Sequence, residues 1–206
     1  MNSLPKKGVY AITPDIDDTA LLMEKVEQAL QGGIHLLQYR DKISPPEEKR
    51  FRAKAIHYLC LNYNVPLIIN DDPELALTCQ AEGVHLGQSD GSIQDARELL
   101  GKDAFIGVTC HHKLSLAINA ERQGADYVAF GRFFNSPTKP GTPLANIKTL
   151  VDAKAALSIP VVAIGGLRHD NSKALITAGV DYLAVVDHLF NTENIIENCQ
   201  SFNALF

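Results

Sequence analysis

The reactive side chains of this chain stand in or just after short apolar runs. Gln38 lies within the run HLLQY and Arg40 and Lys42 follow it, and Asn70 and Asp71 follow PLII. Asp90 comes after GVHLG, Thr109 after FIGV, Thr138 and Lys139 after YVAFG, and Gly165 and Gly166 after PVVAI. In a strand alternate residues share a face, so Gln38, Arg40 and Lys42 can point the same way. A guanidinium grips phosphate oxygens bidentately, and an ammonium acts as a point charge. Read alone, the same residues fit a solvated basic strand end equally well. Two carboxylates from adjacent strand ends, Asp71 and Asp90, are an ordinary holder for Mg²⁺, which takes one or two protein carboxylates plus substrate phosphates and water. The competing role for an Asp here is helix N-cap, which suits Asp72 before PELAL and remains open for Asp90. For Asp71 the ligand role is preferred.

The elements that must position these residues alternate in period. Apolar runs at 8–13, 35–40, 66–70, 83–87, 105–109, 127–131, 160–165 and 182–186 read as strands. Between them lie stretches of helical periodicity. One is 20–31, with Leu21, Leu22, Val26 and Leu30 on one face; another is 46–62, with Phe51, Ala55, Tyr58 and Leu59 on its apolar side. Several helices end in Gly or Asn just before the next strand. Eight such units in 206 residues, with no linker or shift in composition, predict a single (β/α)₈ TIM barrel over 1–206. A doubly wound open sheet is the rival, but it would usually be shorter or carry a glycine-rich fingerprint after the first strand. Here TPDIDDT follows, with no glycine. A barrel gathers the carboxyl ends of its strands on one rim, so residues distant in sequence meet around one mouth.

On that rim, GRFFNSPTKPGTP (131–143) reads as a lid bringing Lys139 onto a diphosphate. The alternative is a plain surface loop, which Pro137 and Pro140 would stiffen. IGGLRHDN offers two glycines whose amides can approach an anion, and VVDHLF reads as the start of a short helix. Two anionic sites follow: a metal-linked one near strands 2–5 and a metal-free one near strands 7–8. His85 reads as a barrel-lining histidine. His111 and His112, beside Cys110, match neither a zinc spacing nor a nucleophile dyad and read as opening a helix. Arg132 and Arg168 are either supporting cations or solvent residues.

Bulk properties bound the function. A hydrophobic fraction of 46% and a charged fraction of 21% suit a soluble globule. The net charge of −5 argues against nucleic-acid binding. No apolar stretch approaches the roughly 20 residues of a membrane span. MNSLPKKGVY carries no apolar signal core, and four cysteines without CxxC pairing read as reduced thiols, so a cytoplasmic location is expected. Oligomeric state is not legible.

In order and spacing, QYRDK, IINDD, GVHLGQSD, GVTCHH, DYVAFGRFFNSPTKPG, IPVVAIGG and AGVDYLAVV resemble the thiamine phosphate synthase family, from about Gly8 to about Phe190. The resemblance implies a Mg²⁺-dependent barrel transferase of thiamine biosynthesis. It would join 4-amino-2-methyl-5-(diphosphooxymethyl)pyrimidine to thiazole phosphate, releasing pyrophosphate and thiamine phosphate. Gln38, Tyr39, Arg40, Asp41, Lys42 and Asn70 would then bind the pyrimidine diphosphate, and Asp71 and Asp90 would hold Mg²⁺. Thr109 sits where the family often has a serine touching the diphosphate, and Lys139 matches its loop lysine. Ser136, Pro137 and Thr138 match the thiazole phosphate segment, with Gly166, Val186 and Asp187 completing it. Arg40, Lys42, Lys139 and Thr109 would carry the chemistry.

One departure is Asp187, where many members carry a small residue, often serine. A carboxylate there repels a phosphate unless main-chain amides do the binding and the side chain turns away. Three rivals remain. A barrel paralogue that isomerises the thiazole phosphate would need only the strand 7–8 site and an acid–base residue such as His111 or His112. A non-catalytic sensor of thiamine precursors would not need the metal carboxylates. An unrelated phosphate-binding barrel leaves the QYRDK–NDD–TKPG combination unexplained.

Overall fold

In the computed structural model of the protein, residues 4–5, 7–135 and 143–206 are described. Eight parallel strands close into one barrel in chain order: β1 (Gly8–Ile12), β2 (Leu36–Tyr39), β3 (Leu67–Asn70), β4 (Gly83–Leu86), β5 (Phe105–His111), β6 (Tyr127–Gly131), β7 (Val161–Ile164) and β8 (Tyr182–Val185). β1 pairs with both β2 and β8, which seals the cylinder and leaves no edge. Strands that are buried on both faces read as continuous apolar runs, which is why all eight were visible in the sequence.

Alternation sorts each strand between two cores. Tyr10, Ile12, Leu36, Ile68, Tyr127, Val162, Tyr182 and Ala184 fill the barrel interior. Val9, Ala11, Leu37, Tyr39, Ile69 and Val128 face outward against the helices. Gly107 has a packing role: a Cβ there would stand 2.0 Å from Cζ of Tyr127, so only glycine lets that ring lie across β5.

The helical layer comprises α1 (Thr19–Gln31), α2 (Pro46–Tyr63), α3 (Pro73–Cys79), α4 (Ile93–Leu100), α5 (Leu114–Arg122), α6 (Ile147–Ala156), α7 (Lys173–Thr177), the short α8 (Asp187–Phe190) and α9 (Ile195–Asn203). Asp72 caps α3 as expected, its side chain accepting from the amide of Leu75. Asp90 is no cap: Ser92 performs that role for α4. All four cysteines are buried and free. Among the described residues, no helix is long and apolar enough to cross a membrane.

Three expectations are corrected. α2 buries Arg52, Ala53, Ile56 and Cys60, whereas Phe51 and Tyr58 are 64% and 68% exposed. The periodicity misled because the buried face centres on an arginine. Nε of Arg52 donates to the Thr19 hydroxyl, NH1 to the Ile16 carbonyl and Asp41, and NH2 to the Asp17 carbonyl and Glu48. With its donors satisfied, a guanidinium can occupy a core position. Leu21 of α1 is likewise exposed, and Ala29 takes its place on the buried face. His111 does not open a helix. β5 runs on to it through a register shift between Thr109 and His111, and α5 begins only at Leu114.

Candidate active site

The carboxyl ends of the strands open into two adjoining cavities of about 420 and 240 Å³. Both are lined by Arg40, Asn70, His85, Thr109 and His111, which form the shared wall. The smaller adds Lys42, Asp71 and Asp90; the larger adds Gln38, Gly165, Gly166, Val186 and Asp187. The residues expected near strands 2–5 gather at the smaller cavity, and Gly166, Val186 and Asp187 from strands 7–8 line the larger.

In the smaller cavity, Nζ of Lys42 donates to Oδ2 of Asp71 at 2.7 Å, and Nδ2 of Asn70 donates to the same oxygen at 2.6 Å. The Asp71 amide donates to the His85 carbonyl, and its φ of 62° lies in the left-handed region that Asp tolerates better than most residues. Burial pushes the Asp71 carboxyl up, but bonding and charge from Lys42, with bonds involving Asp90 and Asn70, hold it below the ordinary carboxylate range. Asp90 folds back so that its Oδ2 accepts from the amide of Gly87 at 2.9 Å.

Asp71 and Asp90 both line the smaller cavity, and two carboxylates facing one space are an arrangement that a divalent cation relieves. Among the described residues, no group of three or more His, Cys, Asp or Glu side chains could hold a metal. Two carboxylates beside a cavity fit Mg²⁺, which completes its shell with phosphate oxygens and water, and do not fit a closed zinc cage.

Asp15, which sequence reasoning missed, orders the cations. Its Oδ2 pairs with NH1 of Arg40 at 2.9 Å, and its Oδ1 accepts from the Lys42 amide at 2.8 Å. The Thr13 hydroxyl clamps the same turn, accepting from the Arg40 amide and donating to the Arg40 carbonyl. Asp15 lies in TPDIDDT, whose only legible signal was the absence of glycine.

Tyr39 and Asp41 do not join the site through their side chains. Strand alternation turns Tyr39 outward, where its hydroxyl donates to Oδ2 of Asp41 at 2.8 Å. Asp41 also accepts from the amides of Ile43 and Ser44 and pairs with the buried Arg52. These two residues brace the turn that carries Arg40 and Lys42.

Beneath the shared wall, side chains from five strands form a continuous polar chain. Nε2 of Gln38 donates to the Tyr10 hydroxyl at 2.8 Å, and the hydroxyls of Tyr10 and Tyr127 lie 2.7 Å apart. The Tyr127 hydroxyl lies 3.1 Å from Nδ1 of His85, whose Nε2 lies 2.9 Å from Oγ1 of Thr109. His85 is therefore a barrel-lining histidine, as expected. The two tyrosines had no signal beyond their inward alternation. Burial pushes the hydroxyls of Tyr10 and Tyr127 well above the usual tyrosine range, so both keep their protons.

At the larger cavity, Gly166 has φ +66°, and a Cβ there would stand 2.4 Å from the Asn135 carbonyl oxygen. That close approach requires glycine. Asp187 opens α8 and lines the cavity beside Val186. Arg132 and Arg168 both line this cavity; Arg168 also pairs with Asp170 at 2.8 Å. Ser136, Pro137, Thr138 and Lys139 lie outside the described residues.

Fold and site together define a (β/α)₈ barrel that gathers cations and carboxylates around a two-part cavity at the carboxyl ends of its strands. The family model for thiamine monophosphate synthase matches residues 9–189. A thiamine-phosphate synthase from Marinobacter nauticus is 50% identical over 98% of this chain and 91% of its own length. One from an Azoarcus species is 46% identical over 97% of each chain. Among solved structures, thiamine phosphate pyrophosphorylase from Pyrococcus furiosus superposes with a TM-score of 0.86 at 30% identity, covering 97% of this chain and 95% of that one. The chain belongs to the thiamine monophosphate synthase family.

Proposed function

We propose that the protein condenses 4-amino-2-methyl-5-(diphosphooxymethyl)pyrimidine with thiazole phosphate to give thiamine phosphate and pyrophosphate. The observation that carries this reading is the convergence of Lys42, Asp71 and Asp90 on a cavity sharing a wall with the larger one. A diphosphate seated over Asp71 and Asp90 would face Lys42 and Arg40, with its organic part in the larger cavity. The thiazole phosphate would enter at Gly166, Val186 and Asp187.

The reaction breaks the bond between the pyrimidine methylene carbon and the diphosphate oxygen. The electron pair leaves with the diphosphate, and the aminopyrimidine ring spreads the positive charge. The thiazole nitrogen lone pair then forms the new carbon–nitrogen bond. The nucleophile already carries its lone pair, so no general base is needed. Arg40 and Lys42 would stabilise charge on the departing group, Thr109 would donate a hydrogen bond to it, and Lys139 would add a further cation. Gln38 and Asn70 would orient the pyrimidine diphosphate, holding its carbon in line with the thiazole. Mg²⁺ held by Asp71 and Asp90 would supply charge neutralisation on the diphosphate.

An isomerase of thiazole phosphate would use the strand 7–8 cavity alone and leave the Lys42–Asp71–Asp90 corner without a role. The test is to mix both substrates with the protein, with and without Mg²⁺, and measure thiamine phosphate and pyrophosphate. Mg²⁺-dependent, equimolar formation of both is expected. Binding of thiazole phosphate without any coupled product would overturn the reading.

A further inference from the structure

The polar chain beneath the site is closed at one end and open at the other. At its closed end the Gln38 amide nitrogen donates to Tyr10. Each tyrosine hydroxyl has one proton to give, so the chain beyond Gln38 can run in one of two polarities. In the first polarity Tyr10 donates to Tyr127 and Tyr127 donates to Nδ1 of His85, contacts of 2.7 and 3.1 Å that accommodate either direction. A neutral imidazole that accepts at Nδ1 carries its proton on Nε2 and donates it to Thr109 Oγ1. The Thr109 hydroxyl proton is then left to point elsewhere, and Thr109 lines both cavities.

The opposite polarity has the opposite consequence. If His85 carried its proton on Nδ1, Thr109 would donate to Nε2 and present only lone pairs to the cavity. Lone pairs repel an anion, whereas a hydroxyl proton binds one. The direction of a chain five residues long therefore decides whether Thr109 helps or hinders a negatively charged group.

From this geometry we infer that Tyr127 is a positioning residue: through His85 it holds the Thr109 hydroxyl as a hydrogen-bond donor to the diphosphate. The inference rests on the proposed reading insofar as it takes the anion at Thr109 to be a diphosphate. Burial supports it, since Tyr10, Tyr127, Gln38 and His85 are all buried and their hydrogen bonds meet little competition from water. Ring packing supports it as well. His85 stacks on Tyr127 at 5.5 Å between centroids with 28° between planes, and Tyr10 meets Tyr127 edge-on at 5.9 Å. Gly107 keeps open the space that the Tyr127 ring occupies. A tyrosine that only filled the barrel would need none of its hydroxyl contacts, so phenylalanine there separates filling from positioning.

The deciding measurement is the tautomer of His85, read from side-chain ¹⁵N shifts of histidine-labelled protein with Mg²⁺ and inorganic pyrophosphate. In the wild type, Nδ1 should be unprotonated and Nε2 protonated, and Tyr127→Phe should remove that bias. In steady-state turnover, Tyr127→Phe should lower kcat about tenfold with little change in KM. Thr109→Val should cost about tenfold in the wild type but under threefold in the Tyr127→Phe background, because the two changes break one chain. A wild-type His85 protonated on Nδ1, or effects of the two substitutions that simply multiply, would overturn the inference. If Tyr127→Phe fails to fold, the wild-type tautomer still decides. The pyrophosphate measurement needs no turnover, so an ordered His85 in a protein that makes no thiamine phosphate would retain the relay and reject the assigned reaction. Turnover with the reversed tautomer would do the converse.

Discussion

Lys42 and Asp71, 29 residues apart in sequence, meet at 2.7 Å where the turns after β2 and β3 face each other. The pair places a cation beside a carboxylate kept ionised, so one corner can grip a diphosphate and a divalent metal together. Asp15 performs the complementary task, holding Arg40 and the Lys42 backbone from the turn after β1.

Asp71→Asn tests that corner. Asparagine tolerates the left-handed backbone at φ 62°, and the partner Lys42 is half exposed, so stability should change by no more than about 1 kcal/mol. Turnover should fall at least about a hundredfold, the scale of losing a group that stabilises transition-state charge, and half-saturation by Mg²⁺ should rise. Denaturant unfolding and a Mg²⁺ titration of activity check the two halves. Wild-type activity at ordinary Mg²⁺ would remove Asp71 from the metal site.

Asp41 should make the fold acid-sensitive. Burial pushes its carboxyl up, but bonds from Ser44, Tyr39 and Ile43 outweigh it and bring it from 3.8 down to about 2. A carboxyl depressed on folding stabilises above its unfolded value, and that contribution fades as pH falls through the folded one. Asp41→Asn should therefore cost on the order of 2 kcal/mol at neutral pH, with about half of that gap left near pH 3. Urea unfolding of both proteins at the two pH values measures it, and a gap independent of pH would contradict the assignment.

Asp187 lies at the larger cavity beside Gly166 and Val186. One like-charge interaction at about 4 Å in a water-like medium is worth ~1 kcal/mol, a factor of about five in affinity. Asp187→Ser should lower the KM for thiazole phosphate by about that factor and leave the KM for the pyrimidine diphosphate unchanged. A raised KM in steady-state assays would show that the carboxylate assists binding.

The orientation of α2 predicts a contrast within one helix. Phe51→Lys and Tyr58→Lys, on the exposed face, should shift stability by no more than about 0.5 kcal/mol. Ile56→Ala, fully buried, should cost about 2–5 kcal/mol. Thermal or urea unfolding of the three variants distinguishes the observed face from the one that apolar periodicity suggests.

That helix also marks where sequence reading ends. Periodicity counted Phe51 and Tyr58 as core and Arg52 as surface, because the acceptors for Arg52 come from Ile16, Asp17, Thr19 and Asp41 as well as Glu48 of its own helix. His111 was misplaced for a related reason: nothing local to GVTCHH shows that β5 continues through a register shift beside β6. The outward turn of Tyr39 was legible in principle from alternation with Gln38, and only the motif QYRDK as a block obscured it.

By itself, the sequence determined the eight strands, their order and the side of the barrel on which the chemistry gathers. Doubly buried strands must be apolar throughout, and a parallel β/α chain must bring their carboxyl ends to one rim. Tertiary structure alone decided which polar side chains work together. Asp15 on Arg40, Lys42 on Asp71, and the chain from Gln38 to Thr109 join residues from different strand ends. A hydrogen bond requires partners about 3 Å apart in a defined direction, and that distance is set by barrel closure and packing.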